Sequence, residues 1–273
     1  MPVYQLNDEL WFPSPEEYEP HGLVAVEGDL RPARLLLAYR MGIFPWYNED
    51  DPISWFCPAR RMVLKPSELR ISKSSRNLLN RGLFEVRFDT AFEEVIQNCQ
   101  QIQRPGQDGT WINDALKASI TELHKLGVVH SVECFRDNKL VGGLYGLVIG
   151  KVFCGESMFS LESNASKIAF IHLARRLQKL DFELIDCQVH NNYTASLGAY
   201  EIERYEYLDI ISLNFEIIYQ EWFFGFSLWF VGRKIPLPKV FCAGQGSTIT
   251  NTGLHNHFIP AERRNQCTPL SLT

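Results

Sequence analysis

The chain has 273 residues, of which 45% are hydrophobic and 22% charged, with a formal net charge of −5. That length supports one large domain or two modest ones around a real core, and the acidic balance argues against a protein coated for non-specific DNA or RNA binding, which needs excess positive charge. The seven cysteines include no CxxC pair, so a zinc site or a disulfide framework fits poorly and reduced thiols fit well.

Met1 to Leu10 is polar and acidic, unlike a secretory leader. Residues 1–30 hold seven acids and no Lys or Arg. Asp29-Leu-Arg-Pro32 opens a helix, because Pro32 suits a first turn where its missing N–H costs nothing. Leu35, Leu36 and Tyr39 form its apolar stripe and Gly42 ends it. The aromatic loop Gly42-Ile-Phe-Pro-Trp46 follows. Residues 60–81 then carry seven basic side chains against one acid, Glu68, which is either a solvated face or a seat for a compact anionic partner.

Phe84 to Phe88 reads as a strand and Ala91 to Gln101 as a helix. Arg104 to Gly109 is a loop by its Pro and Gly content and delivers Trp111. Asn113 caps a helix with Leu116, Ile120 and Leu123 on one face, stopped by Gly127. Val128 to Phe135, Lys139 to Ile149 and Lys151 to Met158 read as an antiparallel meander turned at Arg136-Asp-Asn138 and at Gly150. Asn164 starts a helix to about Leu180 with Ile168, Ile171 and Leu177 inward, and Phe182 to Val189 reads as a further strand. Strands, a helix and another strand predict a mixed α/β (α+β) sheet. The expected division is an N-terminal domain at 1–75, a catalytic domain at 76–211 and an atypical extension at 212–273, whose end is expected to be disordered. His255 and His257 in that extension are not expected to make a metal site. The apolar stretch Trp222 to Gly232 is too short to span a bilayer. No membrane association is expected, and the cytoplasm is the expected compartment.

Alternation along a strand puts Asp186 and Gln188 on one face, and Glu156, Met158 and Ser160 on one face if their strand runs to its end. Carboxylates inside apolar strands are costly unless bonded or used. They suit a site that binds an apolar side chain while holding an amine, or they bond a backbone turn or an arginine. His190, Asn191 and Asn192 close the strand in a loop, where function often lies. Trp46 and Trp111 either pack loops or offer a platform for a base.

Seven segments, in order over roughly residues 10–210, resemble the leucyl/phenylalanyl-tRNA–protein transferase family. They are Gly22-Leu-Val-Ala-Val-Glu-Gly-Asp-Leu30, Gly42-Ile-Phe-Pro-Trp46, Gly109-Thr-Trp-Ile112, Phe153-Cys-Gly-Glu-Ser-Met-Phe-Ser160, Asn164-Ala-Ser-Lys167, Leu184-Ile-Asp-Cys-Gln188 and Ser196-Leu-Gly-Ala199. The resemblance implies a small N-terminal domain followed by an acetyltransferase-like (GNAT) mixed-sheet domain. It implies transfer of Leu or Phe, and less well Met, from aminoacyl-tRNA to proteins with N-terminal Arg or Lys, marking them for N-end-rule degradation. No cofactor is implied, and a monomer is expected. Matched residue by residue, Asp186 and Gln188 take the place of the catalytic pair and Glu156 that of an acid near the attacking or attached amine. Trp46 and Trp111 match aromatics around the terminal adenosine. Leu144, Met158 and Ser160 fall at the side-chain pocket, Asn191 among the substrate-binding positions, and Lys73, Arg76 and Arg81 in the tRNA-contacting basic cluster.

The chemistry then expected is aminolysis of an ester, with Gln188 orienting the amine or polarising the carbonyl. Asp186 is expected to hold Gln188 and the acceptor's cationic side chain, or to take a proton. The sequence departs from the family at Ile202-Glu-Arg204, where the family reads Ile-Pro-Arg, and after about Ser212. An acyl-CoA-dependent acetyltransferase is the rival reading, but Leu161-Glu-Ser-Asn-Ala-Ser-Lys167 lacks the glycines that seat a pyrophosphate. A non-catalytic tRNA-binding adaptor is the other, opposed by the intact Asp186, Gln188 and Glu156.

Overall fold

The computed structural model describes residues 3–48, 51–102 and 112–214. The extension expected to be disordered lies, from residue 215 on, outside the described residues, as does the Arg104–Trp111 loop.

Two sheets organise these residues. The first has four short strands, β1 (Tyr4–Leu6), β2 (Leu23–Glu27), β3 (Phe44–Pro45) and β4 (Ser54–Phe56), in the order β1-β2-β4-β3. Its anchor is Trp55, fully buried, whose indole N–H donates to the Glu27 carbonyl at 2.9 Å. Between β2 and β3 runs α1 (Pro32–Arg40), with Pro32 in its first turn as expected. Gly42 takes a φ of 71°, which lets the chain leave the helix sharply toward β3.

The second sheet has seven strands: β5 (Arg60–Leu64), β6 (Glu85–Phe88), β7 (Val129–Arg136), β8 (Lys139–Ile149), β9 (Val152–Ser160), β10 (Leu184–Asp186) and β11 (Tyr200–Glu203). Their order is β11-β5-β10-β9-β8-β7-β6, mostly antiparallel, with β10 parallel to β9. The predicted meander is present, and Asp137 and Asn138, both at positive φ, make its first turn. β5 enters this sheet from ahead of the expected boundary at 75/76, so the sheet itself crosses that line.

Helices cover both faces. α2 (Lys73–Arg81) precedes β6, followed by α3 (Phe92–Gln101), α4 (Asp114–Lys125) and α5 (Ala165–Lys179). The Asn113 side chain caps α4 as predicted, accepting from the Leu116 N–H at 2.9 Å. A Cβ on Gly142 would meet Ala165 of α5, while one on Gly143 would meet Val95 of α3. Neighbouring residues of one strand point to opposite faces, so α5 lies on one side of the sheet and α3 on the other. Phe92 of α3 stacks on His124 of α4, so these two helices share the second face, and α1 packs against α4. α6 (Asn192–Ser196) and α7 (Arg204–Asn214) end the described chain.

Two expectations fail here for local reasons. The strand read over Phe182 to Val189 is only Leu184–Asp186, because the chain turns away from β9 after Asp186. Met158 and Ser160 share a face, opposite Leu144 and Gly142, but Glu156 is out of step with them. Tyr145 pairs with Ser157 but Gly146 pairs with Gly155, so Glu156 is the extra residue of a β-bulge and the alternation reverses across it.

Candidate active site

β9 and β10 pair from Leu184 beside Val152 to Asp186 beside Cys154, and then part. Beyond Asp186 the chain follows β5 instead: the Cys187 N–H donates to the Met62 carbonyl at 2.8 Å and the Met62 N–H to the Gln188 carbonyl at 3.0 Å. Among the described residues β9 continues to Ser160 with no strand partner on that side, and a gap opens between the two strands. One side-chain bond bridges it: Gln188 Nε2 donates to Glu156 Oε1 at 2.9 Å.

Gln188 lies at φ 62°, in the left-handed region that non-glycine residues seldom occupy. Its backbone N–H is satisfied by Asp186 Oδ1 at 2.8 Å. Asp186 and Gln188 are therefore brought together by a turn, not by the strand alternation that predicted it. Asp186 itself is fully buried. Arg61 grips it with Nε on Oδ1 at 2.8 Å and Nη2 on Oδ2 at 2.6 Å, and the Tyr207 hydroxyl donates to Oδ2 at 2.6 Å. Asp186 thus bonds both an arginine and a backbone turn, the two partners suggested for a carboxylate in an otherwise apolar strand. Neither Asp186 oxygen faces solvent, which leaves it no open lone pair for an acceptor's cation.

Arg61 is 1% exposed, its guanidinium lying 4.6 Å from the Phe44 ring centroid and 4.5 Å from that of Tyr207, with Nη1 donating to the Gly42 carbonyl at 3.0 Å. Burial opposes its charge, but the Asp186 carboxylate overrides this and holds the guanidinium pKa above its usual range.

Glu156 is half-buried, aimed by the bulge toward α1, where the Tyr39 hydroxyl hydrogen-bonds it. Burial pushes its carboxyl up to about 8, against the pull of the Tyr39 hydroxyl; the Asp186 charge adds to the rise. Near neutral pH a large share of this group is protonated. Burial also raises the Cys154 and Cys187 thiols, so neither supplies a thiolate nucleophile.

The other expected residues divide. Leu144, 3% exposed, pairs with half-buried Met158 across β8 and β9. Ser160 is exposed at the start of α5, donating to the Glu162 carbonyl at 2.7 Å and accepting from the Ser166 N–H at 3.3 Å. Asn191 spends its side-chain oxygen on capping α6, accepting from the Thr194 N–H at 2.8 Å. Trp46 is 49% exposed, edge-on to Phe56 at 5.6 Å. Trp111 lies outside the described residues.

The basic run also splits. Arg61 is buried, Arg60 pairs with Glu203 at 2.7 Å and Lys65 with Glu68 at 3.8 Å. Lys73, Arg76 and Arg81 stand exposed on α2, with no ion pair to any of them among the described residues. Sequence reasoning passed over Arg61, Tyr207 and Tyr39. Arg61 was one of seven basic residues, Tyr39 one position of an apolar stripe, and Tyr207 lies beyond the recognisable motifs.

No cluster of His, Cys, Asp and Glu among the described residues is arranged to hold a metal ion. No helix among them is long and apolar enough to cross a membrane. An open depression of about 370 Å³ beside Asp89, Glu93, Glu94, His124 and Lys125 contains none of the expected site residues.

Residues 63–212 match the leucyl/phenylalanyl-tRNA protein transferase family, and residues 28–59 match the N-terminal domain of that family. A leucyl/phenylalanyl-tRNA–protein transferase of Flavobacterium johnsoniae is 53% identical over 209 residues, covering 77% of this chain and 99% of the relative. Those of Myxococcus xanthus and Syntrophobacter fumaroxidans are 49% and 48% identical, covering 78% and 81% of this chain and 92% and 95% of theirs. Among solved structures, a GCN5-related N-acetyltransferase from Kribbella flavida aligns with a TM-score of 0.33 at 8% identity, over 60% of this chain and 58% of that one. The structure of L-PGS from Bacillus licheniformis aligns at 0.35 and 8%, over 62% and 54%. Similarity at that level carries no argument about this chain.

Proposed function

The chain belongs to the leucyl/phenylalanyl-tRNA–protein transferase family of aminoacyltransferases, and from that premise we propose that it moves Leu or Phe, and less well Met, from aminoacyl-tRNA to the N-terminal Arg or Lys of acceptor proteins, marking them for degradation. The observation that carries this reading is the gap between β9 and β10, bridged by the Gln188 amide and the Glu156 carboxyl.

The step is aminolysis of an ester. The acceptor's free α-amine attacks the aminoacyl carbonyl, a C–N bond forms, the bond to the terminal ribose oxygen breaks, and the amine's proton passes to that oxygen. Aminoacyl esters are already reactive, so positioning supplies much of the acceleration. The Gln188 amide uses one N–H on Glu156 and keeps a second N–H and its carbonyl. That suits it to hold the attacking amine or to stabilise the oxyanion. Glu156, with a carboxyl near 8, is matched to an α-amine of about 7.7–8.0 and serves to relay its proton. Asp186 acts by holding the Gln188 turn, its oxygens being filled from Arg61 and Tyr207.

Leu144 and Met158 form the apolar floor that prefers long side chains, where a missing methylene costs about 1–3 kcal/mol. Ser160 and Asn191 serve as further substrate-binding residues, and Trp46, with Trp111, receives the terminal adenine. Lys73, Arg76 and Arg81 contact tRNA phosphates. The domain division that accompanies this reading is an N-terminal domain at 1–75 and a catalytic domain at 76–211, with β5 contributed to the catalytic sheet from the first.

The test is transfer of labelled leucine from Leu-tRNA to peptides beginning with Arg, Lys or Ala, without coenzyme A. Transfer to the Arg and Lys peptides alone is expected. Equal transfer to the Ala peptide defeats the acceptor assignment, and a requirement for coenzyme A defeats the chemistry.

A further inference from the structure

We propose that Arg61 and Tyr207 are positioning residues for the transfer reaction: acting through the Asp186 carboxylate, they fix the left-handed backbone at Gln188 and so aim its amide into the gap between β9 and β10. The inference rests on the reading that Gln188 touches the reacting groups.

A carboxylate offers about four lone-pair positions. On Asp186 all four are taken. Arg61 Nε and the Gln188 N–H fill Oδ1; Arg61 Nη2 and the Tyr207 hydroxyl fill Oδ2. With no exposed surface, Asp186 touches no substrate and works as a joint between two structural donors and one site residue.

The joint matters because of what it holds. Gln188 has a φ of 62°, and a glutamine stays there only when its surroundings over-determine it. Two bonds do so: its N–H to Asp186 and its carbonyl to the Met62 N–H at 3.0 Å. Were Asp186 free to rotate, the first bond would go, and relaxation of the backbone toward an extended conformation would swing the Gln188 side chain away from Glu156.

Arg61 and Tyr207 prevent that rotation from different elements. Arg61 comes from β5 and Tyr207 from α7, and the Tyr207 ring lies 4.5 Å from the guanidinium, so each also holds the other. The fork shape is essential to this. Nε and Nη2 engage both carboxylate oxygens while Nη1 reaches the Gly42 carbonyl at 3.0 Å, at the start of the loop that presents Trp46. Lysine, a point charge, cannot make those three bonds at once.

Two variants test the proposal. Tyr207→Phe keeps the ring and removes one hydroxyl; Arg61→Lys keeps the charge and removes the fork. Expected for Tyr207→Phe is a fall of about 10-fold in kcat, the loss of one strong hydrogen bond, with KM for aminoacyl-tRNA and peptide within about twofold. Arg61→Lys is expected to lower kcat by about 100-fold. In a Gln188→Ala background Tyr207→Phe should change kcat by less than about twofold, because the two act through one another. Independently of turnover, the Gln188 backbone amide proton should move upfield by NMR in both variants as its acceptor loosens. An unmoved Gln188 resonance overturns the proposal. So does the full Tyr207→Phe loss persisting in the Gln188→Ala background, or a kcat loss that only tracks the folded fraction. Undiminished transfer by Gln188→Ala itself would sink the catalytic reading of Gln188, a separate result.

Discussion

Arg34 with Asp29 and Arg61 with Asp186 are the same chemical pair placed in two regions. Both guanidinium groups are sealed from solvent, and both sit within 2.9 Å of a carboxylate oxygen. What differs is where the remaining bonds go. In the first region Arg34 Nη2 also donates to the carbonyls of Asn7 and Glu9, at 2.6 and 3.0 Å, and Arg31 donates to that of Asp8. That pair fastens the segment after β1 onto α1. In the second region Asp186 accepts from Gln188 and Tyr207, so the pair sets the geometry of a gap. A buried ion pair is weak evidence for stability by itself; the groups it orders decide what it is for.

Asp186→Asn and Asp29→Asn put that distinction at risk. The first should lower kcat by about 10²–10³-fold, the usual cost of misplacing a transition-state donor. The second should leave transfer by folded enzyme within about twofold while reducing stability by about 3 kcal/mol, since Arg34 is left buried without its partner. Melting curves and initial rates on both variants decide it, and equal effects on both readouts would erase the contrast.

The acid and alkaline limits sharpen it further. Burial raises the Asp29 carboxyl, but hydrogen bonds from Arg31 and Arg34 outweigh this and hold it well below the usual range. Its stabilisation is present above the unfolded carboxylate pKa of about 3.9 and is lost as pH falls through the folded value. Glu156 has the opposite sign. Burial foremost lifts it to about 8, so its contribution is complete below the unfolded value and lost as pH rises through 8. Glu156→Gln should therefore raise Tm at pH 9 by about 2–4 °C per kcal/mol recovered. It should also remove the enzyme's share of the rise in transfer rate from about pH 6 to 8, leaving the acceptor amine's own titration. A variant whose pH–rate profile matches the parent would dismiss Glu156 as the proton relay.

Smaller effects belong to the exposed residues. Trp46→Ala should raise KM for aminoacyl-tRNA by about 5–100-fold, the range for one lost base stack, with Tm unchanged because Trp46 is half exposed. Replacing Lys73, Arg76 and Arg81 together by Ala should reduce the slope of log binding against log salt by about 2, whereas replacing Arg60, already paired with Glu203, should hardly move it.

Much of the fold was legible because it is written in short-range pattern. Pro32 and Gly42 bracket α1, Asn113 caps α4, and the β7–β9 meander follows its turn residues. β10 is shorter than its pattern suggests because the alternating segment Leu184 to Val189 looks the same whether it stays in the sheet or leaves it at Asp186. The bulge at Glu156 left no mark either, since a bulge is a mismatch between two strands and only one strand is read at a time. α2 went unread because its apolar face is slight, with Ser75 its one buried residue.

By itself the sequence determined the mixed α/β class, the ends of α1, α4 and α5, and the family, all of which depend on local chemistry or on ordered motifs. Only the tertiary structure decided that Asp186 faces inward and Gln188 outward. It likewise decided that one arginine of a seven-residue basic run is buried against Asp186 while the other six are exposed, and that Tyr39 bonds Glu156 and Tyr207 bonds Asp186. The physical reason is separation: Arg61 and Asp186 stand 125 positions apart, and Tyr207 is 146 from Arg61. No periodicity of 2 or 3.6 spans such distances; the pairing exists because the seven-stranded sheet sets β5 beside β10 and α7 packs on β5.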